Sequence, residues 1–198
     1  MRASSSTSPE VGVLALQGAS EPHRAAFERL GVETREVRAP RDLEGLTHLV
    51  LPGGESTTLH HLLTLFGLWD PLAARHRAGE LALFGTCAGA ILLGRSAGER
   101  PPTLGLLDAE LERNAYGRQI DSFTRPVELA DRTFPAVFIR APRFTAVGPD
   151  VRVLARDGDQ PVALEAPSLL ATSFHPELTD DPWFHRRFLE LARLPART

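Results

Sequence analysis

At 198 residues, with 42% hydrophobic and 24% charged side chains, the chain has enough apolar material for one substantial core. A net charge of -3 and a pI near 6.2 leave no electrostatic footprint for nucleic acid or for an anionic membrane. A single cysteine excludes an internal disulfide framework, and no apolar run approaches the ~20 residues needed to cross a bilayer.

Residues 1–10, rich in Ser and Thr, lack the apolar stretch of a signal peptide and read as a disordered tail. Residues 11–198 read as a single domain, and the reduced thiol favours a cytoplasmic location. Val11 to Leu16 is a continuous apolar run, as in a central parallel strand, and stops at Gln17-Gly18. A helix from Pro22 and His23 to Leu30 follows, closed by Gly31. Val32 to Val37 alternates like a strand nearer the sheet edge. Leu49 to Leu51 is the next buried strand, halted by Pro52-Gly53-Gly54. Helices are expected over Glu55–Phe66 and Asp70–Ala78, and Leu81–Phe84 is a further strand. This alternation is the grammar of an open, mostly parallel sheet flanked by helices in three layers.

The second half changes character. Strands are expected over Leu104–Leu111, Gln119–Leu129, Ala136–Ile139, Thr145–Val147, Val151–Ala155, Val162–Glu165 and Leu169–Ser173. Short turns with Gly, Pro or Asp separate them, so these are additional antiparallel strands. Trp183 to Leu194 is a closing amphipathic helix, with Phe184, Phe188, Leu189 and Leu191 on one face.

The lone cysteine lies in Gly85-Thr86-Cys87-Ala88-Gly89, between an apolar strand and an apolar helix start. Gly-x-Cys-x-Gly in that context is the thiol form of a nucleophile elbow. A strand that turns at once into a helix exposes the apex sulfur at the helix N-terminus, where the dipole favours thiolate. The Ala88 N–H points to the same place and suits an oxyanion. A buried, inert cysteine is the commoner fate of a free thiol, but the flanking glycines argue against it here.

A nucleophile needs a base. His175 lies just past the strand Leu169–Ser173, at the sheet end where Cys87 also lies, and Glu177 is two positions beyond across Pro176. Together they form a Cys87–His175–Glu177 triad. His23, His48, His60, His61, His76 and His185 are better read singly as ordinary core or surface histidines. Gly53-Gly54 opens a helix with free N–H groups but lacks the Lys of a phosphate loop, leaving Gly54 as a second oxyanion donor. Glu55 and Ser56 then face a polar substrate.

These residues resemble the class I (triad) glutamine amidotransferase family, and more narrowly the glutaminase subunits of pyridoxal 5'-phosphate synthases. The resemblance rests on Leu14–Gly18, Pro52–Thr58, Gly85–Gly89, Arg113–Gln119, Phe138–Pro142 and Thr172–Thr179, in the family's order along nearly the whole chain. It implies a flavodoxin-like fold of that family, hydrolysis of L-glutamine to L-glutamate and ammonia, and delivery of the ammonia to a synthase subunit in a large hetero-oligomeric complex. It places glutamine binding on Gly54, Glu55, Ser56, Arg113, Ile139 and Arg140. The two arginines suit an α-carboxylate. No metal or cofactor is expected on this chain. Ser20-Glu21-Pro22 and Pro142-Arg143-Phe144 depart from the family's pattern without touching the triad. Another cysteine-triad enzyme of this fold, or a scaffold that has lost catalysis, are the alternatives; the intact triad speaks against the second.

Overall fold

The computed structural model describes residues 9–17, 20–95, 102–113 and 122–191. Expectations for residues 1–8, Gly18, residues 114–121 and residues 192–194 lie outside the described residues.

The first half alternates as its sequence demands. Strand β1 (Val11–Leu14) is followed by α1 (Ser20–Glu28), β2 (Thr34–Val37), a 3-10 turn (Pro40–Leu43), β3 (His48–Leu51), α2 (Ser56–Leu65), α3 (Trp69–Arg77), β4 (Ala82–Thr86) and α4 (Ala88–Leu93). The second half supplies β5 (Ala109–Glu112), β6 (Phe123–Glu128), β7 (Thr133–Phe138), β8 (Arg143–Val147), β9 (Arg152–Asp157), β10 (Gln160–Ala166), β11 (Leu169–Thr172) and α5 (Trp183–Leu189).

Nine strands form one sheet in the order β2-β1-β3-β4-β11-β10-β9-β6-β7. The pairs from β2 to β11 are parallel, and those from β11 to β7 are antiparallel. β2 is an edge strand, as its alternating pattern predicts. β5 and β8 pair separately as a two-stranded ribbon. One expectation is corrected. Leu104–Leu111 is not one strand: Leu104 and Leu107 are buried against α4 through hydrogen bonds to its Leu92 and Leu93 carbonyls, and pairing begins only at Ala109. An apolar run is compatible with either arrangement, and the carbonyl groups at the end of α4 claim these N–H groups first.

Period-two alternation sorts the core into two layers. Leu14, Leu49, Leu51, Leu83, Leu169 and Ala171 face α2, α3 and α4, packing with Leu59, Leu63, Leu72 and Leu92. Val11, Val13, Val50, Ala82, Phe84 and Leu170 face the opposite way, towards Phe27 of α1 and Phe184 and Phe188 of α5. The central strands are therefore apolar on both faces, which is why they read as continuous runs. Among the described residues no helix is long and apolar enough to cross a membrane.

Candidate active site

Four parallel strands deliver the site. β4 and β11 are neighbours with Thr86 opposite Thr172, and the Cys87 N–H donates to the Thr172 carbonyl at 2.8 Å. The residue after β4 and the segment after β11 therefore leave the sheet side by side. β3 adds Gly53 on the other flank, and beyond β1 Gln17 reaches the same rim.

Cys87 is the N-cap of α4, with φ 49° and ψ -105°, a left-handed backbone that a non-glycine residue adopts only under constraint. The glycines around it have steric reasons. A Cβ on Gly89 would collide with the Leu51 carbonyl oxygen of β3, and one on Gly85 would sit 2.6 Å from the Gly89 carbonyl carbon. Small residues let α4 lie directly on the sheet, and that close approach holds the elbow in its strained form.

His175 is buried and its N–H donates to the Val137 carbonyl at 2.8 Å, which ties it to β7. Its Nδ1 is 2.7 Å from Glu177 Oε1, and the Cys87 thiol is its neighbour on the cavity side. Burial disfavours imidazolium, but the bonds to Cys87 and Glu177 outweigh it and push the His175 pKa up to about 10. Glu177, buried in the 3-10 turn Pro176–Leu178, is held below the usual carboxylate range. Burial works in the other direction, and the facing His23 and His175 overcome it.

Above the thiol lies a cavity of about 470 Å³, lined by Gly53, Gly54, Glu55, Ser56, Cys87, Ala88, Ile91, Arg113, Ile139, Arg140 and His175. Every residue singled out from the sequence borders it except Glu177, which sits behind His175. Glu55 caps α2, accepting from the N–H groups of Thr57 (3.0 Å) and Thr58 (2.6 Å). Burial opposes ionisation there, yet these bonds lower its pKa to about 2. Arg113 donates to Glu55 Oε1 at 2.7 Å and to Thr57 Oγ1 at 3.2 Å, so its guanidinium is already engaged with the rim. Arg140 is exposed, with φ 44°, and has no carboxylate partner among the described residues. The Ser56 hydroxyl is buried without a hydrogen-bond partner among them. The thiol lies 3.8 Å from the Ile139 carbonyl oxygen.

Ile91, on α4, carries no separate signal in the sequence, and His23 and His185 read there as unrelated. The His23 Nδ1 lies 2.9 Å from His185 Nε2, and His23 Nε2 lies 3.5 Å from Glu177 Oε2. The first pair is separated by 162 positions, and no spacing rule joins them. His23 alone left a trace, since it lies in the first turn of the helix that follows the carboxyl end of β1.

The arrangement of the sheet and its flanking helices is that of the class I glutamine amidotransferases. PurLQS from Thermotoga maritima superposes with a TM-score of 0.70 at 16% identity, covering 92% of this chain and 98% of that one, which shows the shared fold. A crystal structure described as a glutamine amidotransferase superposes at 0.88 with 52% identity, covering 93% and 99%. The model of the SNO glutamine amidotransferase family matches residues 13–193, and this chain belongs to that family. Pyridoxal 5'-phosphate synthase subunit PdxT of Deinococcus radiodurans is 57% identical over 92% of this chain and 96% of its own length. A protein of the same description from Thermus thermophilus is 55% identical over 92% and 97%.

Proposed function

We propose that this chain is the glutaminase subunit of a pyridoxal 5'-phosphate synthase, hydrolysing L-glutamine to L-glutamate and ammonia with Cys87, His175 and Glu177. The observation that carries the reading is a strained elbow thiol and His175 lining one cavity, with His175 hydrogen-bonded behind to a buried carboxylate and arginines on the cavity rim.

The Cys87 sulfur attacks the side-chain amide carbon of glutamine, and the thiol proton resides on His175. The carbonyl oxygen becomes an oxyanion, held by the Ala88 N–H and the Gly54 N–H. As the C–N bond breaks, His175 gives its proton to the departing nitrogen, which leaves as ammonia. The product is a thioester on Cys87. Water then attacks that carbon and passes a proton to His175; the C–S bond breaks, glutamate leaves and the thiol is restored. The raised basicity of His175 suits a group that must hold a proton until the leaving nitrogen takes it. Glu177 stabilises the imidazolium and fixes its orientation.

Arg140, with no carboxylate partner among the described residues, supplies a cation for the substrate α-carboxylate, and Glu55 and Ser56 supply acceptors for its α-ammonium. These steps use the chain's own groups, with no metal or cofactor. The ammonia passes to the synthase subunit, which is consistent with the description of the D. radiodurans and T. thermophilus relatives. The test is release of glutamate and ammonia from glutamine and from asparagine, with and without the synthase subunit. Hydrolysis of glutamine alone, abolished by Cys87→Ser in a variant that melts like the parent, is the expected result. Absence of glutamate release even with saturating synthase would overturn the assignment.

A further inference from the structure

Behind the triad the polar line continues into the core. Glu177 Oε1 is taken by His175, whereas Oε2 is buried with no hydrogen bond of ordinary geometry. Facing it at 3.5 Å is Nε2 of His23, which also lies 3.3 Å from Thr86 Oγ1. His23 Nδ1 is 2.9 Å from His185 Nε2 on α5. Both imidazoles are fully buried, edge-on to Phe84, with Phe27 against His185. Placing two imidazoles in such an apolar shell is costly, and apolar side chains would fill it more stably.

We propose that His23 is a positioning residue for the proposed glutaminase, its Nε2–H holding Glu177 ionised and aimed at His175, with His185 fixing the His23 tautomer. The bonding options select this state. If His23 carried its proton on Nδ1, it would turn a lone pair on the Glu177 carboxylate and leave His185 Nδ1–H as a buried orphan donor. With the proton on Nε2, His23 Nδ1 accepts from His185 Nε2–H, and only an acceptor, His185 Nδ1, stays unpaired. Burial drives both histidines below their ordinary pKa, so a neutral N–H faces the carboxylate at neutral pH. The titratable groups around Glu177 are His175 on its substrate side and His23 from α1. His185 lies behind His23, Arg29 beyond α1 acts on His185, and Cys87 lies beyond His175.

The role rests on the glutaminase reading, so the test has two arms. In the first, ¹⁵N shifts of the histidine rings in the whole chain are read from pH 5 to 9. A neutral His23 protonated at Nε2 is expected from pH 7 upward; an Nδ1–H tautomer, or an imidazolium at pH 7, would overturn the proposal whether or not the chain hydrolyses glutamine. In the second, His23→Leu and His23→Gln are assayed with saturating synthase. His23 does not border the cavity, so His23→Leu lowers kcat on the order of tenfold with KM unchanged. Loss of the donor also raises the acid limb of the pH–kcat profile by about one unit. His23→Gln, whose amide N–H replaces the Nε2 donor, restores both. If His23→Leu melts early, the Gln variant still decides. A Gln variant that folds but keeps the acid limb displaced, or a Leu variant with the parental limb, would sink the idea, while silent wild type would reject the glutaminase reading instead.

Discussion

Arg113 and Arg140 look equivalent as residue types but occupy different electrostatic positions. Arg113 is bound to Glu55 and Thr57 and braces the rim of the cavity; Arg140 projects with no acidic partner among the described residues. On the proposed reading, replacing Arg140 with Ala removes one charge-assisted bond to the substrate carboxylate. That bond is worth about 1.5–3 kcal/mol, so KM for glutamine rises roughly ten- to a hundredfold. Arg113→Ala also raises KM, and in addition releases Glu55. Steady-state kinetics on both variants check this, and unchanged KM in both places the carboxylate elsewhere. His175 carries a pH signature. Its folded pKa, about 10, lies above its ordinary 6.5, so its contribution to stability is complete below pH 6.5 and is lost as pH rises through about 10. Because Cys87 is one of the groups that raise it, Cys87→Ser shifts the His175 titration downward. NMR titration of the ring in both proteins reads that shift, and coincident curves contradict it. At the acid end Glu55, lowered to about 2, loses its contribution as pH falls from about 4.5 through that value.

At the scale of elements, α4 and β3 show how packing builds chemistry. The helix lies so close to the sheet that no side chain fits at Gly89, where a Cβ would meet backbone and not a flexible side chain. Gly89→Ala therefore has to push α4 off β3, at about 3 kcal/mol or more, and it tilts the thiol away from His175. Both effects are measurable, as a lower denaturation midpoint and as slower alkylation of Cys87 by iodoacetamide. A variant with parental stability and reactivity shows that the elbow tolerates the methyl group. Helix α2 contributes differently. Its N-cap Glu55 satisfies two N–H groups of the first turn with the same carboxylate that receives Arg113. The cap thus orders the helix and one wall of the cavity together.

Across the whole molecule, the parallel strands gather at one rim everything the chemistry needs, and the Gly53–Gly54 turn is the adjustable part of that rim. Gly54 has φ 145°, open to glycine, and packs against Gln17, whose amide donates to the Glu55 carbonyl at 2.8 Å. A peptide between two glycines rotates at little cost, presenting either the Gly54 N–H or a carbonyl to the oxyanion. We propose that a synthase subunit docking over the end of β1 would move Gln17 and thereby select the productive orientation. Missing one oxyanion donor costs on the order of 10²–10³ in kcat, so the free chain is expected to be a poor glutaminase. The partner raises kcat by about that factor, and Gln17→Ala reduces the increase. Equal kcat with and without saturating synthase refutes the gating and leaves the triad intact.

The sequence by itself determined the parallel half of the fold, because strands buried on both faces must be continuously apolar and the helices between them must be amphipathic. It also determined the elbow, where Gly85 and Gly89 leave room that only a strand-to-helix turn requires, and the His175–Glu177 pair two residues apart. Those signals are local, with periods of a few residues. Tertiary structure alone decided that β11 pairs with β4, which brings Cys87 to His175, and that Leu104–Leu107 serves α4 and not a strand. It alone joined His23 to His185 and both to Glu177. Each of these is a contact between segments far apart in the chain, chosen by which backbone groups and buried charges were still unpaired once the local structure had formed.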